Sequence, residues 1–406
     1  MLSQKSADTV RATLPAVGAA IGSITDLFYR RLFEAHPELL RHMFNRGNQA
    51  AGVQRQALAG AMAAFATALV EHPGVRPDAM LSRIAHKHAS LGVSPAQYPL
   101  VHHHLSAAIA EVLGDAVTEE VAAAWDEVYW LMANSLIEIE RRLYAEQGVL
   151  AGGTWRPWEV AERVRETADV VTFRLRPADG RPAPAFAAGQ YVSVQVELAD
   201  GARQIRQYSL TNPPGATVRS ITVKHVRGGS GPDGEVSGHL HEHLREGDVI
   251  SVSAPYGDLV LGSGDAPLLL ASAGIGCTPI VAMLEGLVDR GHQAPVVAVH
   301  ADRSPADHAL RADQERLITK LAQGSAHLWY ERPEDGATAR PGDGETVGRT
   351  GRMDLSGVEI PEGVHAYLCG PLEFMRSVRA QLLERGVRPS DIHYEVFGPD
   401  LWLAQD

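Results

Sequence analysis

The segment Leu-Leu-Leu-Ala-Ser-Ala-Gly-Ile-Gly-Cys-Thr-Pro-Ile, residues 268–280, decides the fold of the C-terminal part of the chain. Its three leucines indicate a short buried strand, and the glycines that follow allow a tight turn and a close approach to a phosphate. Pro279 suits the first turn of a helix. The order of strand, glycine turn and helix indicates an α/β domain, although Gly-x-Gly without a third glycine is a weak signal for a phosphate site by itself.

Short apolar strands alternate with helical stretches throughout residues 266–406. The strands are predicted at 268–270, 296–299, 327–330 and 366–368, and the helices at 280–288 and 372–383. A second strand-to-helix turn has the sequence Cys369-Gly370-Pro371. This alternation predicts a parallel sheet with crossover helices.

Two different patterns precede this domain. Residues 154–262 contain short β-rich runs separated by turn residues, at 170–175, 191–196 and 220–224, which predict an antiparallel β-barrel. Residues 1–147 show apolar positions at steps of three and four and predict an all-α domain. The glycines at 152 and 153 suit a link between them. We therefore expect a multi-domain chain of three parts.

The composition excludes several classes of protein. Among 406 residues, 37 Lys and Arg stand against 49 Asp and Glu, and the net charge of −12 disfavours nucleic acid and anionic membranes as partners. Two cysteines provide neither a disulfide framework nor a cysteine zinc site, which fits a cytoplasmic setting. The uncharged stretch 266–284 contains prolines and glycines that break a membrane-spanning helix. We expect no integral membrane contact, and a monomer.

One histidine of the helical domain stands out as a candidate ligand. At about 100° per residue, Leu81, Ile84 and His88 share one helix face, whereas His86 points away. A core histidine that bonds to a backbone carbonyl is the alternative. An aromatic cluster earlier in the chain, which could face His88 across a flat ligand, contains Phe28, Tyr29, Phe33 and Phe44.

Several segments together resemble one family. Lys87-His88 is followed by Pro95-Ala96-Gln97-Tyr98, and Phe44 lies in Met43-Phe44-Asn45. The chain resembles the flavohaemoglobins along essentially its whole length. The resemblance implies that His88 is the proximal ligand of haem iron, with Lys87 beside it and Phe44 wedged against the haem. It further implies distal roles for Tyr29 and Gln54, and proximal roles for Tyr98 and Glu140.

Elementary chemistry is compatible with these roles. A histidine ligand gains basicity when its second nitrogen bonds to a carboxylate, which Glu140 could supply together with Tyr98. A phenol such as Tyr29 stabilises negative charge that develops on bound oxygen. The alternatives are a packing role for Tyr98, a solvated charge at Glu140 and an aromatic-cluster role for Tyr29.

The resemblance also implies an FAD site in the barrel. In a strand, Arg206 and Tyr208 share a face, so that one can bind a pyrophosphate and the other can lie along the flavin, while Ser209 can donate to the ring. Ser237 is expected to cap a short helix whose N-terminus binds phosphate. Tyr191 and Gln207 complete this expected set. The glycine-rich segment 228–234 is longer than the family usually has.

The resemblance implies that the NAD(P)H site contains the two turns of the third domain, with Gly274, Ile275, Gly276, Cys277, Thr278, Pro279, Cys369, Gly370 and Pro371. It implies that the segment of Glu395, Val396, Phe397, Gly398 and Pro399 covers the flavin, with Glu395 as a charge near the redox centre. Family members often have glutamine where this chain has Cys277. Phe397 is expected to stack on the flavin. Arg303 suits a 2′-phosphate and Asp302 opposes one, so the choice between NADH and NADPH stays open.

The resemblance implies a nitric oxide dioxygenase that uses haem b, FAD, NAD(P)H and O2 to oxidise nitric oxide to nitrate. Two alternatives on the same scaffold are reduction of hydroperoxides and reduction of nitric oxide without oxygen. An oxygen carrier or sensor, whose reductase keeps the iron ferrous, is an alternative from another class.

Overall fold

The computed structural model describes residues 1–75, 77–228, 233–332 and 346–398. The chain divides into two compact units. The first contains Met1–Trp155, Gln195–Arg206 and Gly398, and the second contains Arg156–Val194 and Gln207–Phe397.

The N-terminal part is helical, as predicted. Its helices are α1 (Gln4–Ala35), α2 (Pro37–His42), α3 (Arg46–Ala50), α4 (Val53–Glu71), α5 (Asp78–Leu91), α6 (Tyr98–Leu113) and α7 (Glu119–Glu146). The side chains of Ser3 and Thr118 accept backbone hydrogen bonds at the starts of α1 and α7.

The core of this domain lies where α1 crosses α4, α6 and α7. Ile24, Leu32, Phe65 and Leu81 are fully buried there. Helix α5 packs against α7, and the start of α6 follows α5 after one short turn. The three helices that carry His88, Tyr98 and Glu140 therefore meet at one place.

The second fold element contains β1 (Trp155–Arg165), β2 (Val170–Pro177), β3 (Tyr191–Glu197), β4 (Arg203–Ser209), β5 (Arg219–Lys224), α8 (Glu235–His243) and β6 (Val249–Ser253). Its strands form a six-stranded antiparallel sheet with the order β4-β3-β6-β1-β2-β5. Leu210, directly after the last residue of β4, forms an antiparallel bridge with Ile221 on β5, which links the two edges of the sheet as the predicted barrel requires.

The third fold element contains β7 (Leu268–Ala273), α9 (Cys277–Asp289), β8 (Val296–Asp302), α10 (Arg311–Ile318), β9 (Gly324–Tyr330), β10 (Thr346–Thr350), β11 (His365–Cys369), α11 (Leu372–Glu384) and β12 (Ile392–Glu395). Its strands form a six-stranded parallel sheet with the order β10-β9-β8-β7-β11-β12. The order of strands reverses between β7 and β11, and in open α/β sheets ligands bind outside the carboxyl ends of the strands at such a point.

The structure corrects one local expectation and leaves others outside its range. Gly234 takes the cap position of α8, so Ser237 lies inside the helix and does not cap it. Residues 229–232 of the glycine-rich segment and Pro399 lie outside the described residues. Within the described residues, no helix combines the length and apolar character needed to span a bilayer.

Candidate functional site

His88, Tyr98 and Glu140 form one hydrogen-bonded group. His88 Nδ1 lies 2.8 Å from Glu140 Oε1 and 3.2 Å from the Tyr98 hydroxyl, and Tyr98 donates to the same carboxylate oxygen at 2.5 Å. Only 2% of Glu140 is exposed, so this acid is not a solvated charge. Burial, followed by the nearby Glu140 carboxylate, raises the pKa of Tyr98, and the phenol stays a donor.

This arrangement suits a histidine ligand of a metal. Because Nδ1 is engaged by Glu140, the ring presents Nε2 for coordination. Within the described residues, no group of three or more His, Cys, Asp and Glu side chains could hold a bare metal ion. A lone histidine with a carboxylate behind it fits a metal that a macrocycle already holds, and the donor set is thus compatible with haem.

Tyr29 combines aromatic packing with polar contacts. Its ring lies 4.8 Å from Phe28, 5.6 Å from Phe33 and 5.9 Å from Phe44, measured between centroids. The side chains of Gln54 and Gln49 hydrogen-bond to the phenol. Burial raises the pKa of Tyr29, and the two hydrogen bonds offset this only in part. The phenol is therefore neutral and able to donate at physiological pH.

Gln49 was not predicted from the sequence. It lies in the short helix α3, and its side chain hydrogen-bonds to the Tyr29 phenol. Because α3 has five residues, its periodicity was too short to show which side chain points inward.

The segment before α3 is fixed by Gln204, a second residue that sequence reasoning missed. Gln204 is fully buried, and its amide donates to the carbonyl oxygens of Leu40 and Arg41 at 3.2 Å and of Phe44 at 3.3 Å. The Phe44 ring packs on Phe33 with centroids 5.2 Å apart. These contacts fix both the backbone and the ring of the residue expected to contact haem.

The residues expected to bind FAD lie on or beside β4. Arg206 donates to the Ile205 carbonyl at 2.7 Å and to Gln204 Oε1 at 3.4 Å. Gln207 donates to Ser193 on β3 at 2.8 Å, so this amide stabilises the sheet. Ser209 and Tyr191 are buried. The alternation along β4 places Arg206 and Tyr208 on one face, as expected.

Ser237 joins the start of α8 to the preceding chain. Its hydroxyl donates to the Gly234 carbonyl at 3.0 Å and accepts the Val226 N–H at 3.1 Å. A Cβ on Gly234 would lie 2.5 Å from this hydroxyl, so glycine is needed there. Ser237 orders the backbone at the start of α8.

The two turns of the parallel sheet meet at its reversal point. A Cβ on Gly276 would overlap the Cys369 carbonyl, so only glycine allows the two turns to approach this closely. Gly274 has φ +54° with open space beside it, as a backbone that faces a phosphate requires. Thr278 donates to the Ile275 carbonyl at 2.9 Å, and Pro279 lies in the first turn of α9.

The two cysteines at this point are inert. Cys277 and Cys369 are fully buried, and Cys277 donates to the Ala309 carbonyl at 3.6 Å. Burial raises the pKa of both thiols, which keeps them neutral.

Residues 395–398, at the end of β12 and directly after it, differ in burial from one residue to the next. Glu395 pairs with Cys369 in the strand register and is buried, whereas 48% of Phe397 is exposed. Val396 and Gly398 are half-buried. An exposed aromatic ring is able to stack on a flat ligand, which is the role expected for Phe397.

Comparisons with known proteins cover all three parts of the chain. The globin family model matches residues 26–136. The models of the oxidoreductase FAD-binding domain and the oxidoreductase NAD-binding domain match residues 157–261 and 270–380. The flavohemoprotein of Chromobacterium violaceum is 41% identical over 403 residues, covering 98% of both chains.

Solved structures agree with this assignment. A flavohemoglobin from Malassezia yamatoensis, determined with FAD and haem bound, is 37% identical with a TM-score of 0.88, covering 98% of this chain and 100% of that one. The FAD/NAD-binding domain of the nitric oxide dioxygenase from Vibrio cholerae is 34% identical with a TM-score of 0.54, covering 61% of this chain and 100% of that domain. The chain belongs to the flavohaemoglobin family.

Proposed function

We propose that the chain is a nitric oxide dioxygenase that converts nitric oxide and O2 to nitrate with electrons from NAD(P)H. The observation that carries the proposal is the buried carboxylate of Glu140 on His88 Nδ1, fixed by Tyr98. A simple oxygen carrier does not need a ligand of raised basicity, whereas oxygen chemistry benefits from it. The names of the Malassezia and Vibrio relatives support the same cofactors and reaction.

The proposed cofactors are haem b and FAD. When bound, FAD accepts a hydride from NAD(P)H and releases single electrons to haem, which activates O2 toward nitric oxide. We assign His88 as the residue that would bind the haem iron, and Phe44 and Lys87 as residues that would lie beside the haem. Arg206, Tyr208 and Ser209 are assigned to FAD, and the turns 274–279 and 369–371 to NAD(P)H.

The chain's own residues polarise the His88 ring and donate hydrogen bonds. Glu140 accepts the Nδ1 proton of His88 in a hydrogen bond and increases the electron density that Nε2 can donate. Tyr98 donates to the same oxygen and prevents the carboxylate from rotating away. Tyr29, neutral through burial, donates a hydrogen bond to negative charge that develops on oxygen.

Glu140→Gln tests this proposal because it removes the charge behind His88 and keeps the shape of the side chain. We expect nitric oxide consumption to fall by about 10-fold or more, as is usual when the carboxylate behind a metal-bound histidine is removed. A nitric oxide electrode with a nitrate assay measures the rate, and two molecules of nitric oxide should be consumed for each NAD(P)H. Glu138→Gln is the matched control, since Glu138 is exposed and pairs with Arg141.

The same assay on the parent protein distinguishes a dioxygenase from an oxygen carrier or sensor. Oxygen binding without nitric oxide consumption would indicate a carrier or sensor and would refute the proposal. Equal turnover in Glu140→Gln and the parent would remove the role of the carboxylate.

The FAD assignment is tested by the double variant Arg206→Ala with Ser209→Ala. We expect the flavin content of the purified protein to fall by about 10-fold or more, because a charge-assisted hydrogen bond to a phosphate contributes about 1.5 to 3 kcal/mol. Haem content should not change. Flavin released on denaturation is measured by fluorescence. Arg174→Ala is the control, because Arg174 forms an exposed ion pair with Glu162; unchanged flavin in the double variant would contradict the assignment.

A further inference from the structure

The carboxylate of Asp307, in the loop after strand β8, accepts hydrogen bonds from a set of donors that would also suit a phosphate. Arg303 Nη2 lies 2.6 Å from Asp307 Oδ1, and the Ser304 hydroxyl donates to Asp307 Oδ2 at 2.7 Å. A second guanidinium, that of Arg332, lies 4.0 Å from Oδ2. Both oxygens of one carboxylate are therefore surrounded by groups that commonly bind phosphate monoesters.

The location of this set is the one where dinucleotides are distinguished. Strand β8 is the neighbour of β7, whose end carries the glycine turn 274–276. In doubly wound nucleotide-binding domains, residues after the second strand contact the adenosine ribose, where NADPH carries its extra phosphate. Asp302, the last residue of β8, is nearly fully buried and accepts the Arg303 N–H at 2.8 Å. Arg303 and Ser304 thus supply the side-chain donors after this strand.

We propose that Asp307 acts as an internal substitute for the ribose 2′-phosphate and selects NADH over NADPH. The inference rests on the proposed function, since it needs a nicotinamide dinucleotide as electron donor. An incoming 2′-phosphate would have to displace Asp307 from Arg303 and Ser304 and would meet its negative charge. Asp169, 3.4 Å from Arg303, adds a second carboxylate. NADH has a neutral hydroxyl at this position, so it neither displaces Asp307 nor is repelled by the carboxylates.

The residue after Asp307, His308, anchors the backbone of this loop. His308 stacks on His300 with ring centroids 3.9 Å apart, and its Nδ1 lies 2.9 Å from the Tyr330 hydroxyl. Its Nε2 lies 3.0 Å from Gln314 Nε2, and the ring is buried. Because the His308 ring is held on three sides, the backbone that carries Asp307 is held beside Arg303 and Ser304.

The test compares the two nucleotides in the flavin-containing full-length protein, with ferricyanide as electron acceptor so that nitric oxide chemistry is not involved. We expect the parent to favour NADH in kcat/KM by about 10-fold or more, and Asp307→Ser to raise kcat/KM for NADPH by about the same factor, the value of one charge-assisted hydrogen bond. The kcat/KM for NADH should change little. Asp307→Asn, which keeps the shape of the side chain and removes its charge, should also raise kcat/KM for NADPH.

Two further variants make the test specific. Arg303→Ala added to Asp307→Ser should abolish the gain, because the guanidinium would bind the phosphate. Asp313→Ser removes an equal charge from an acid that pairs with Arg316, and should leave the preference unchanged. A parent that prefers NADPH, or Asp307 variants with unchanged preference, would overturn the inference and leave the proposed function intact. Failure of both nucleotides to reduce the flavin would overturn both.

Discussion

His88→Ala should yield a protein that retains FAD but no longer binds haem stoichiometrically. His88 Nδ1 is fixed by Glu140, so that the other ring nitrogen is directed by the fold, and alanine has no group that can replace it. The ratio of haem to flavin in the absorption spectrum of the purified variant measures the effect. Flavin content should not change, because the residues assigned to FAD lie on β4.

His86→Ala is the matched control for this substitution. His86 lies two residues away on α5, and the helical period places it on another face. The His86→Ala variant should contain as much haem as the parent protein. A normal five-coordinate histidine–haem spectrum in His88→Ala would show that another histidine is the ligand and would contradict the assignment.

Tyr29→Phe should accelerate the release of O2 from the reduced protein by about 10-fold to 100-fold, since a hydrogen bond to a charged acceptor contributes about 1.5 to 3 kcal/mol. The substitution removes the hydroxyl and keeps the ring that packs against Phe28, Phe33 and Phe44. Stopped-flow spectroscopy measures the release. Reduction of FAD by NAD(P)H should be unaffected, and nitric oxide turnover should fall most at low O2.

Tyr129→Phe is a suitable control, because this half-buried phenol donates to the Tyr98 carbonyl and not to the Tyr29 cluster. It should leave the rate of O2 release near that of the parent. Equal release rates in the parent and in Tyr29→Phe would show that Tyr29 only packs and does not stabilise bound oxygen.

The secondary structure was predictable where the pattern is strong. The leucines at 268–270 and the glycines after them gave a strand and a turn as expected, because a buried strand and a close backbone approach each restrict the sequence locally. The helical period also predicts the face of α5 on which His88 contacts Glu140. The pairing itself was implied by the family resemblance.

Contacts between distant segments were not predictable. Gln204 binds the carbonyl of Leu40 across 164 residues, and no local pattern marks such a residue. Asp307 resembles any exposed loop acid until its distances to Arg303 and Ser304 are known. Ser237 was expected as a cap because serine favours that position, yet Gly234 starts the helix and Ser237 bonds to Val226.

The origin of the oxygen atoms in nitrate tests the proposed reaction most directly. The purified protein is supplied with NADH, nitric oxide and ¹⁸O₂, and the nitrate formed is analysed by mass spectrometry. A dioxygenase transfers both atoms of O2, so we expect nitrate with two ¹⁸O atoms, formed in proportion to the nitric oxide consumed. Nitrate with oxygen from water, or nitrous oxide as the main product, would contradict the account.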